Sequence, residues 1–256
     1  TACSSSLAAL HAATVSLQND ECEYSLVIAS DLILSEKSLK IREAAGMLSP
    51  SGKGSTFSIE ADGYVRGEGG GAVLLRRCNV KMAGNALAKI SAVAINHDGK
   101  TASLTSPNVK SQELLLSQAL HNAQLTSKQI HYLECHGTGT SLGDPIEYSA
   151  INRVYSGGDT LMLGAVKSNI GHLEGAAGMA GLIKAVCSLN KKFIPGNLHF
   201  SVLNPHIEAK DHLQVVQAAG TSLEHIRHQP LRAGLTSLGS GGTNVHAILE
   251  NCSFDY

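Results

Sequence analysis

Residues 130–189 read IHYLECHGTGTSLGDPIEYSAINRVYSGGDTLMLGAVKSNIGHLEGAAGMAGLIKAVCSL and alternate short apolar runs with longer mixed stretches. The apolar runs at 130–135 and 161–166 have the length of strands. The stretch at 175–189 is long enough for a helix, and its glycines, which weaken a helix, predict close packing against another helix. Strands that alternate with helices predict a mainly parallel sheet with helices on both faces, which is an α/β fold.

A further helix is predicted between these two strands. It begins at Pro145, because proline is favoured at the first helical position, and it ends at Tyr155. Asp144 stands immediately before it and suits the N-cap. Asp144 and Glu147 could also form a pair of carboxylates, which is a pattern of acid–base sites. Capping of the helix is the preferred interpretation.

The remaining predicted elements extend the alternation in both directions. They are a buried helix over 4–18, a buried strand with its exit over 25–34, a loop over 43–56, strands over 72–77 and 88–95, a turn over 96–99, an amphipathic helix over 111–124, an irregular connection over 190–230 with a short strand over 213–216, and strands over 232–238 and 245–249. The helix-β-β order before residue 88 matches the end of the β-α-β-α-β-α-β-β order after it. The chain is therefore predicted to hold one and a half copies of a repeated unit.

The composition argues against several classes of protein. The net charge of the 256 residues is −1, which gives no electrostatic basis for binding nucleic acid or an anionic membrane surface. No apolar run approaches the roughly 18–20 residues that a membrane-spanning helix needs. Apolar residues make up 43% of the chain, which is enough for a sizeable core.

The cysteines and histidines are scattered along the chain. None of the six cysteines belongs to a CxxC pair, and they lie in runs that read as strands and helices. This distribution predicts a reducing, intracellular setting, so we expect a cytoplasmic protein. The twelve histidines form no HExxH motif and no cluster with zinc spacing, so no metal site is expected.

Three motifs carry reactive side chains. TACSSS at residues 1–6 places Cys3 at the start of an Ala-rich helix, where the positive end of the helix dipole is expected to lower the pKa of the thiol. HGTGT begins with His136 and directly follows a strand. KSNIGH ends with His172 and directly precedes the small-residue helix. One thiol and two imidazoles at the ends of strands and helices suit carbon–carbon bond formation from thioesters.

Together, TACSSS, ECHGTGT and KSNIGH resemble the motifs of the β-ketoacyl synthase family, and within it the ketosynthase domains of type I polyketide synthases. The resemblance covers nearly all of residues 1–250. It implies a thiolase-like, layered αβαβα fold of two related halves. Residues 1–87 would be the end of the N-terminal half with the nucleophile, and residues 88–256 would be the complete C-terminal half. Because a strand is expected to lead into the nucleophile, we expect a further part of the N-terminal half before Thr1.

The resemblance implies a role for each reactive side chain. Cys3 would take up the acyl chain as a thioester. His136 and His172, with neutral rings, would stabilise the enolate that forms when a malonyl extender loses carbon dioxide. By position alone Lys167 would be a surface residue at a strand end. The resemblance implies instead that it points inward and supports the site electrostatically.

The resemblance also implies groups that bind the substrate. The side chains and loop that would hold the pantetheine arm and the substrate are Thr138, Thr140, Gly241, Gly242, Thr243 and Asn244. The backbone N–H groups of Cys3 and Ser240 would form an oxyanion hole. This chain has Leu238 and Ser240 where the family usually has Phe and often a bulky gate residue. The smaller residues leave the backbone hole intact but change the gate beside the nucleophile.

The implied reaction is a decarboxylative Claisen condensation between the acyl chain on Cys3 and a malonyl-type extender. The implied partners are an acyl carrier protein, acyl and malonyl thioesters, and a second copy of the protein in a homodimer. No bound cofactor is expected, because the phosphopantetheine belongs to the carrier protein.

Alternative functions remain open at this point. A condensing enzyme of fatty acid synthesis belongs to the same family, and thiolases and chalcone synthases share the fold. The two histidine motifs with the lysine of KSNIGH argue against the last two, which use Cys-His-Cys or Cys-His-Asn sites. A non-catalytic or inactive ketosynthase fragment that only binds partners is the alternative from another class, and the presence of Cys3 argues against it.

Overall fold

The computed structural model describes residues 1–78, 86–101, 103, 106–157, 160–226 and 230–252. Its α-helices are α1 (Ser5–Gln18), α2 (Glu36–Ala44), α3 (Val109–Ala123), α4 (Gly143–Val154), α5 (Lys167–Ile170) and α6 (Ala177–Lys191). Its strands are β1 (Tyr24–Asp31), β2 (Gly69–Arg76), β3 (Ala88–His97), β4 (Tyr132–Glu134), β5 (Leu161–Gly164), β6 (Phe193–Ile194), β7 (Leu213–Val215), β8 (Thr221–Ser222), β9 (Arg232–Leu238) and β10 (Thr243–Asn251). No helix in these described ranges is long and apolar enough to cross a membrane.

The largest sheet has the strand order β3-β10-β9-β4-β5-β7. β4 runs parallel to both β5 and β9, and β5 runs parallel to β7. β10 is antiparallel to both β3 and β9. Only a short loop joins β9 to β10, which requires this pair to be antiparallel, because a parallel pair needs a long crossover. The predicted α/β class is therefore confirmed, with a mixed sheet in which the parallel strands lie together on one side.

Apolar side chains cover both faces of this sheet. On one face, Leu115 of α3 and Ile151 of α4 share a buried cluster with Leu133 of β4. On the other face, Leu182 of α6 belongs to a second cluster together with Tyr132 of the same strand. Successive residues of β4 thus point into different clusters, as the pleat of a strand requires. The prediction of helices on both faces is confirmed.

α1 and α6 pack closely beside each other under the second face. A Cβ atom at Gly178 would lie 2.6 Å from Leu7 Cγ, so only glycine allows this approach. Ser6 Oγ also accepts a hydrogen bond of 3.0 Å from the backbone N–H of Met179. This confirms the close helix packing predicted from the glycines of 175–189. Gly175 has no part in it, because it lies in a 3-10 turn before α6 with no atom within 4 Å of a Cβ built there.

The prediction that the strand over 25–34 is buried is wrong. β1 forms an antiparallel two-stranded sheet with β2. Val27 is buried in the cluster with α1 and α6, but Leu26, Ile28 and Leu74 on the opposite face are 60%, 65% and 66% exposed. A continuous apolar run predicts burial on both faces, whereas in the described residues this small sheet is covered by helices on one face only.

Three local predictions also differ from the structure. α2 was not predicted, since residues 36–42 lie outside every predicted element and residues 43–44 lie in the predicted loop over 43–56. Ser35 caps it by accepting a hydrogen bond of 3.2 Å from Lys37 N. The turn predicted over 96–99 starts too early, because β3 continues to His97. α4 begins two residues before Pro145, so Asp144 lies within its first turn and does not cap it. The capping prediction for Asp144 is therefore wrong.

Candidate active site

Cys3 lies in the 3-10 turn Ala2–Ser4 immediately before α1, where the motif predicts it. Its carbonyl oxygen accepts a hydrogen bond of 2.8 Å from Ser237 Oγ of β9. The loop after β9 also approaches the turn, since a Cβ atom at Gly239 would lie 2.4 Å from the carbonyl oxygen of Thr1. The end of β9 therefore holds the Cys3 turn against the large sheet.

Burial raises the pKa of the Cys3 thiol above its usual value. The positive charge of Lys167 opposes this effect, and the carboxylate of Glu174 adds to it. Hydrogen bonds from the backbone N–H groups of Ser240 and Cys3 also lower the pKa. The prediction of a lowered pKa is wrong, because the loss of hydration outweighs the helix end. The thiolate depends on Lys167 and on these two N–H groups.

Replacing Lys167 by methionine should make the Cys3 thiolate rarer still. The substitution keeps the length of the side chain but removes the positive charge that lowers the Cys3 pKa most. Alkylation of Cys3 by iodoacetamide at pH 8, followed by mass spectrometry of its peptide, should slow by about tenfold for each unit of pKa increase. Lys128→Met changes an exposed lysine and serves as the control. An unchanged alkylation rate in Lys167→Met would contradict this role.

His136 lies directly beyond β4, at the start of the loop 136–140. Its Nδ1 atom accepts a hydrogen bond of 3.3 Å from the backbone N–H of Leu238. The next residue, Gly137, has a φ of +44° and sits where a Cβ atom would come within 2.6 Å of Thr56 Cγ2. Glycine is therefore required by the fold of the loop itself. Since Nδ1 accepts, the neutral ring carries its proton on Nε2.

His172 is held in the same way between α5 and α6. Its backbone N–H donates to the carbonyl oxygen of Val65 at 2.7 Å. Its Nδ1 atom accepts a hydrogen bond of 3.0 Å from the backbone N–H of Glu174. Its ring also packs against Tyr64, with 5.0 Å between the ring centroids. The neutral ring of His172 therefore also carries its proton on Nε2.

The two imidazoles are neighbours, with ring centroids 5.6 Å apart and ring planes at 86°. Burial lowers the pKa of both His136 and His172 well below the usual range, and the charge of Lys167 lowers it further. Both rings are therefore neutral near pH 7. Two neutral Nε2–H donors at this separation can bind one oxygen atom that gains negative charge during a reaction.

Lys167 is buried at the start of α5, so the interpretation as a surface residue is wrong. Burial lowers its pKa, and the carboxylates of Glu134 and then Glu147 oppose this effect. Its charge acts on Cys3 and on both imidazoles, as their pKa values show. The lysine therefore lies among the three reactive side chains.

The carboxylates of Asp144 and Glu147, in the segment GDPIE, hold the backbone of the loop 136–140. Glu147 accepts hydrogen bonds from the backbone N–H groups of His136 and Gly137, at 2.6 and 2.8 Å. Asp144 accepts one from the backbone N–H of Gly139 at 3.1 Å. Burial raises the pKa of both carboxyl groups, to about 7 for Asp144. These residues bind backbone, and they were missed because their spacing within α4 also suits a helix start.

Replacing Glu147 by glutamine should displace His136 while leaving the Cys3 turn in place. Glutamine offers one acceptor oxygen where the loop presents two N–H donors, so one buried hydrogen bond to a charged group is lost, at about 1.5–3 kcal/mol. In the reaction that the sequence motifs imply, malonyl decarboxylation should fall by about tenfold or more, while acylation of Cys3 continues. The control is Glu113→Gln, which removes a carboxylate paired with Lys110 and Arg153. Equal loss of both half-reactions, in a folded variant, would refute this assignment.

The residues predicted to bind pantetheine occupy different environments. Thr138 and Thr140 share the loop with His136, and their hydroxyl oxygens lie 3.2 Å apart. Gly241 has no atom within 4 Å of a Cβ built on it, so it borders open space. Gly242 immediately precedes β10, and Thr243 is its first residue. Asn244 is buried, and its amide donates a hydrogen bond of 2.7 Å to Asp98 Oδ1.

A charged cluster around Glu174 was not predicted from the sequence. The Glu174 carboxylate binds the guanidinium of Arg42 and lies 3.2 Å from both Arg66 Nε and Tyr64 Oη. The cluster fixes the residue whose N–H orients His172. Its arginines lie far away in the sequence, so no local pattern reveals them. In none of the described ranges could a group of three or more His, Cys, Asp or Glu side chains hold a metal ion.

Two family models match the chain. The model of the beta-ketoacyl synthase N-terminal domain matches residues 1–80, and the model of the beta-ketoacyl synthase C-terminal domain matches residues 87–201. The two matches contain the Cys3 turn and both histidine loops, respectively. Residues matched to one family thus include every side chain of the reactive group described above.

Known proteins with similar sequences and structures agree with these matches. The chain is 44% identical over 256 residues to a phenolphthiocerol/phthiocerol polyketide synthase polypeptide of Mycobacterium tuberculosis, covering 98% of this chain and 12% of that relative. The ketosynthase from module 6 of the bacillaene synthase of Bacillus subtilis 168 superposes with a TM-score of 0.94 at 38% identity, over 98% of this chain and 47% of that one. An oxazolomycin ketosynthase domain from Streptomyces albus gives a TM-score of 0.93 at 35% identity, over 99% and 46%. The chain therefore spans a small part of the curated relative and slightly less than half of each solved domain.

Proposed function

Because the chain belongs to the β-ketoacyl synthase family, we propose that it carries out the decarboxylative Claisen condensation of a polyketide synthase. The observation that carries this proposal is the pair of neutral imidazoles, His136 and His172, with centroids 5.6 Å apart and both Nδ1 atoms occupied by backbone N–H groups. Both Nε2–H groups are thereby left for a substrate oxygen. The positive charge of Lys167, which acts on both imidazoles, also lowers the pKa of the nucleophile Cys3.

In the first half-reaction the acyl chain moves onto the protein. The Cys3 thiolate attacks the carbonyl carbon of an acyl thioester, and the carbonyl oxygen becomes an oxyanion. The backbone N–H groups of Cys3 and Ser240, which lower the pKa of the sulfur in the free site, stabilise that oxyanion in this proposal. The tetrahedral intermediate collapses, and the carrier leaves as a thiolate, which takes up a proton from solvent in place of the one that Cys3 released. Cys3 keeps the acyl chain as a thioester.

In the second half-reaction, the carrier that delivered the acyl chain is replaced by a carrier that bears a malonyl thioester. Its thioester oxygen accepts hydrogen bonds from Nε2–H of His136 and His172. Breaking the bond to the carboxylate releases carbon dioxide, and the electron pair becomes an enolate held by these two donors. The enolate carbon attacks the acyl carbonyl on Cys3. The Cys3 thiolate leaves, and the product is a β-ketoacyl chain on the carrier.

The carrier in this proposal is an acyl carrier protein, whose phosphopantetheine arm supplies the thiol, so the chain needs no cofactor of its own. In this proposal Thr138, Thr140 and the open loop at Gly241 hold this arm, because the two threonines share the loop of His136 and Gly241 borders open space. The relatives' names favour polyketide synthesis over fatty acid synthesis. We propose further that the protein acts as a homodimer in the cytoplasm, where a reducing setting keeps the Cys3 thiol free.

The test is a condensation assay with the intact protein that contains this chain. An acyl thioester and malonyl-loaded acyl carrier protein are supplied together, and carbon dioxide release and β-ketoacyl product are measured. We expect both, in equal amounts. A protein that binds the carrier but releases no carbon dioxide and forms no product would instead be a non-catalytic binding partner.

A further inference from the structure

A buried charged cluster, formed by Glu134, Lys184 and Tyr132, lies beside the turn that carries Lys167. It takes no direct part in the proposed reaction. Glu134, at the end of β4, is 1% exposed. Its Oε2 atom lies 2.8 Å from Lys184 Nζ of α6 and accepts a hydrogen bond from the hydroxyl of Tyr132. Lys184 Nζ also lies over the Tyr132 ring, 5.6 Å from its centroid. An ion pair of this burial is costly to desolvate, so its presence requires an explanation beyond stability.

The other oxygen of Glu134 holds the turn that carries Lys167. Glu134 Oε1 accepts a hydrogen bond of 2.6 Å from the backbone N–H of Val166, the residue immediately before Lys167. Asn197 Oδ1 holds the preceding residue, Ala165, through its N–H at 2.8 Å. The turn is therefore fixed by the neutral side chain of Asn197 and by the carboxylate of Glu134. Of these two, only Glu134 belongs to the charged cluster.

Two glycines leave room for this cluster. A Cβ atom at Gly181 of α6 would lie 3.2 Å from Glu134 Cγ. A Cβ atom at Gly164 of β5 would lie 3.0 Å from the Tyr132 hydroxyl oxygen and 3.3 Å from Lys184 Nζ. The backbones of α6 and β5 thus approach the cluster at positions where a larger residue would crowd it. The packing fixes the position of the carboxylate relative to Lys167.

We propose that Glu134, anchored by Lys184 and Tyr132, is a positioning residue for Lys167. It holds the turn that presents the ammonium group and supplies the negative charge that keeps this group protonated among Cys3 and the two histidines. This inference rests on the proposed function, because the cluster contributes to the reaction only through Lys167. Lys184 has the complementary task of holding the Glu134 carboxylate at a fixed place.

Several charged and titratable groups act on Lys167 from the surrounding elements. Burial lowers its pKa, and Glu134 is the first of the groups that raise it, followed by Glu147 of α4, Cys3 of the turn before α1, and Cys135 beyond β4. His136 and His172 stay neutral and add no positive charge. Glu147 is bound to two backbone N–H groups of the histidine loop. Glu134 is the one carboxylate of this set that also bonds the turn of Lys167.

The test uses Glu134→Gln, which keeps the shape and an acceptor oxygen but removes the charge. Malonyl decarboxylation by the intact protein is measured from pH 6 to pH 10. The alkaline limb of the profile should move to lower pH by about one unit, because Lys167 loses its proton more easily without the opposite charge. In Glu134→Gln the Lys184 ammonium group has lost its partner carboxylate. The double variant Glu134→Gln with Lys184→Met removes this positive charge as well, so its alkaline limb should lie between those of Glu134→Gln and the wild type. Tyr155→Phe, which changes no charge and removes a buried hydroxyl that has no hydrogen-bond partner among the described residues and lies outside the cluster, is the control and should leave the limb in place.

A second measurement separates this inference from the proposed function. The titration of Lys167 is followed by NMR in protein labelled at the lysine Cε carbons, with the signal assigned by its loss in Lys167→Met. A protein that never decarboxylates malonyl thioester overturns the proposed function, while a lowered Lys167 midpoint in Glu134→Gln still supports the positioning role. An unmoved midpoint in Glu134→Gln, with rates reduced equally at every pH, would overturn it. If Glu134→Gln does not fold, the double variant decides, since it leaves no unpaired buried charge and its midpoint must lie below that of the wild type.

Discussion

Replacement of Cys3 by alanine is expected to abolish acyl transfer to the protein completely. The acyl chain needs a nucleophilic sulfur at the point where the N–H groups of Cys3 and Ser240 meet, and alanine offers none. The wild-type protein, incubated with an acyl thioester, should gain one acyl mass on the peptide that carries Cys3. Condensation should fall to the background rate in Cys3→Ala, because no acyl-enzyme forms.

The other cysteines supply the control for this assignment. Cys135 is buried directly before His136, and burial raises its pKa well above the usual value, so it should remain unlabelled. Cys22 is partly exposed and far from the histidine loops in the sequence. Cys22→Ala should therefore acylate at the wild-type rate. Acyl label on Cys22 or Cys135 with Cys3 free would show that the nucleophile has been assigned wrongly.

Replacement of either His136 or His172 by alanine should lower malonyl decarboxylation by about 10²-fold or more, the effect of losing one donor to a developing oxyanion. Acylation of Cys3 should persist in both variants, because neither imidazole is needed to form the acyl-enzyme. Decarboxylation is measured as carbon dioxide release, and acylation as mass gained on Cys3. Unchanged decarboxylation in both variants would exclude the proposed roles.

The pH dependence gives an independent check on the two histidines. Burial lowers the pKa of both rings well below the usual range near 6.5. A histidine of ordinary pKa would take up a proton as the pH falls from 7.5 to 6 and would lose the rate with it, whereas these rings stay neutral over that window. The two histidines should therefore contribute no acid limb to decarboxylation between pH 7.5 and pH 6, and a limb in this window is expected only from Asp144, whose pKa is about 7. His121→Gln, a change on the exposed side of α3, is the control for general effects of histidine removal.

The large sheet and its helices could be predicted because their sequence periods are strong. β4, β5 and α6 follow from short apolar runs and a long small-residue stretch. The burial of β1 could not be predicted, because a continuous apolar run looks the same whether one or both faces are covered. α2 was missed because its residues are mostly polar and none is buried, so it has no periodic apolar face.

The positions of the reactive residues could be predicted from three short motifs, but their electrostatics could not. The pKa of Cys3 depends on burial and on Lys167, which are properties of the folded chain and not of the TACSSS motif. The same holds for Glu147 and Asp144, whose spacing within a helix gave no sign that they bind the backbone of the loop 136–140. Arg42 and Glu174 are 132 positions apart, so their pairing appears only in three dimensions.

The most direct test of the central claim is a single turnover from isolated acyl-enzyme. The intact protein is acylated on Cys3 with a ¹³C-labelled acyl group, freed of excess thioester, and mixed with malonyl-loaded acyl carrier protein labelled with ¹³C at the methylene carbon. We predict one β-ketoacyl product that contains both labels, one carbon dioxide per product, and free Cys3 at the end. Release of the acyl group as a free acid, or carbon dioxide without a product joining the two labels, would contradict the proposed condensation.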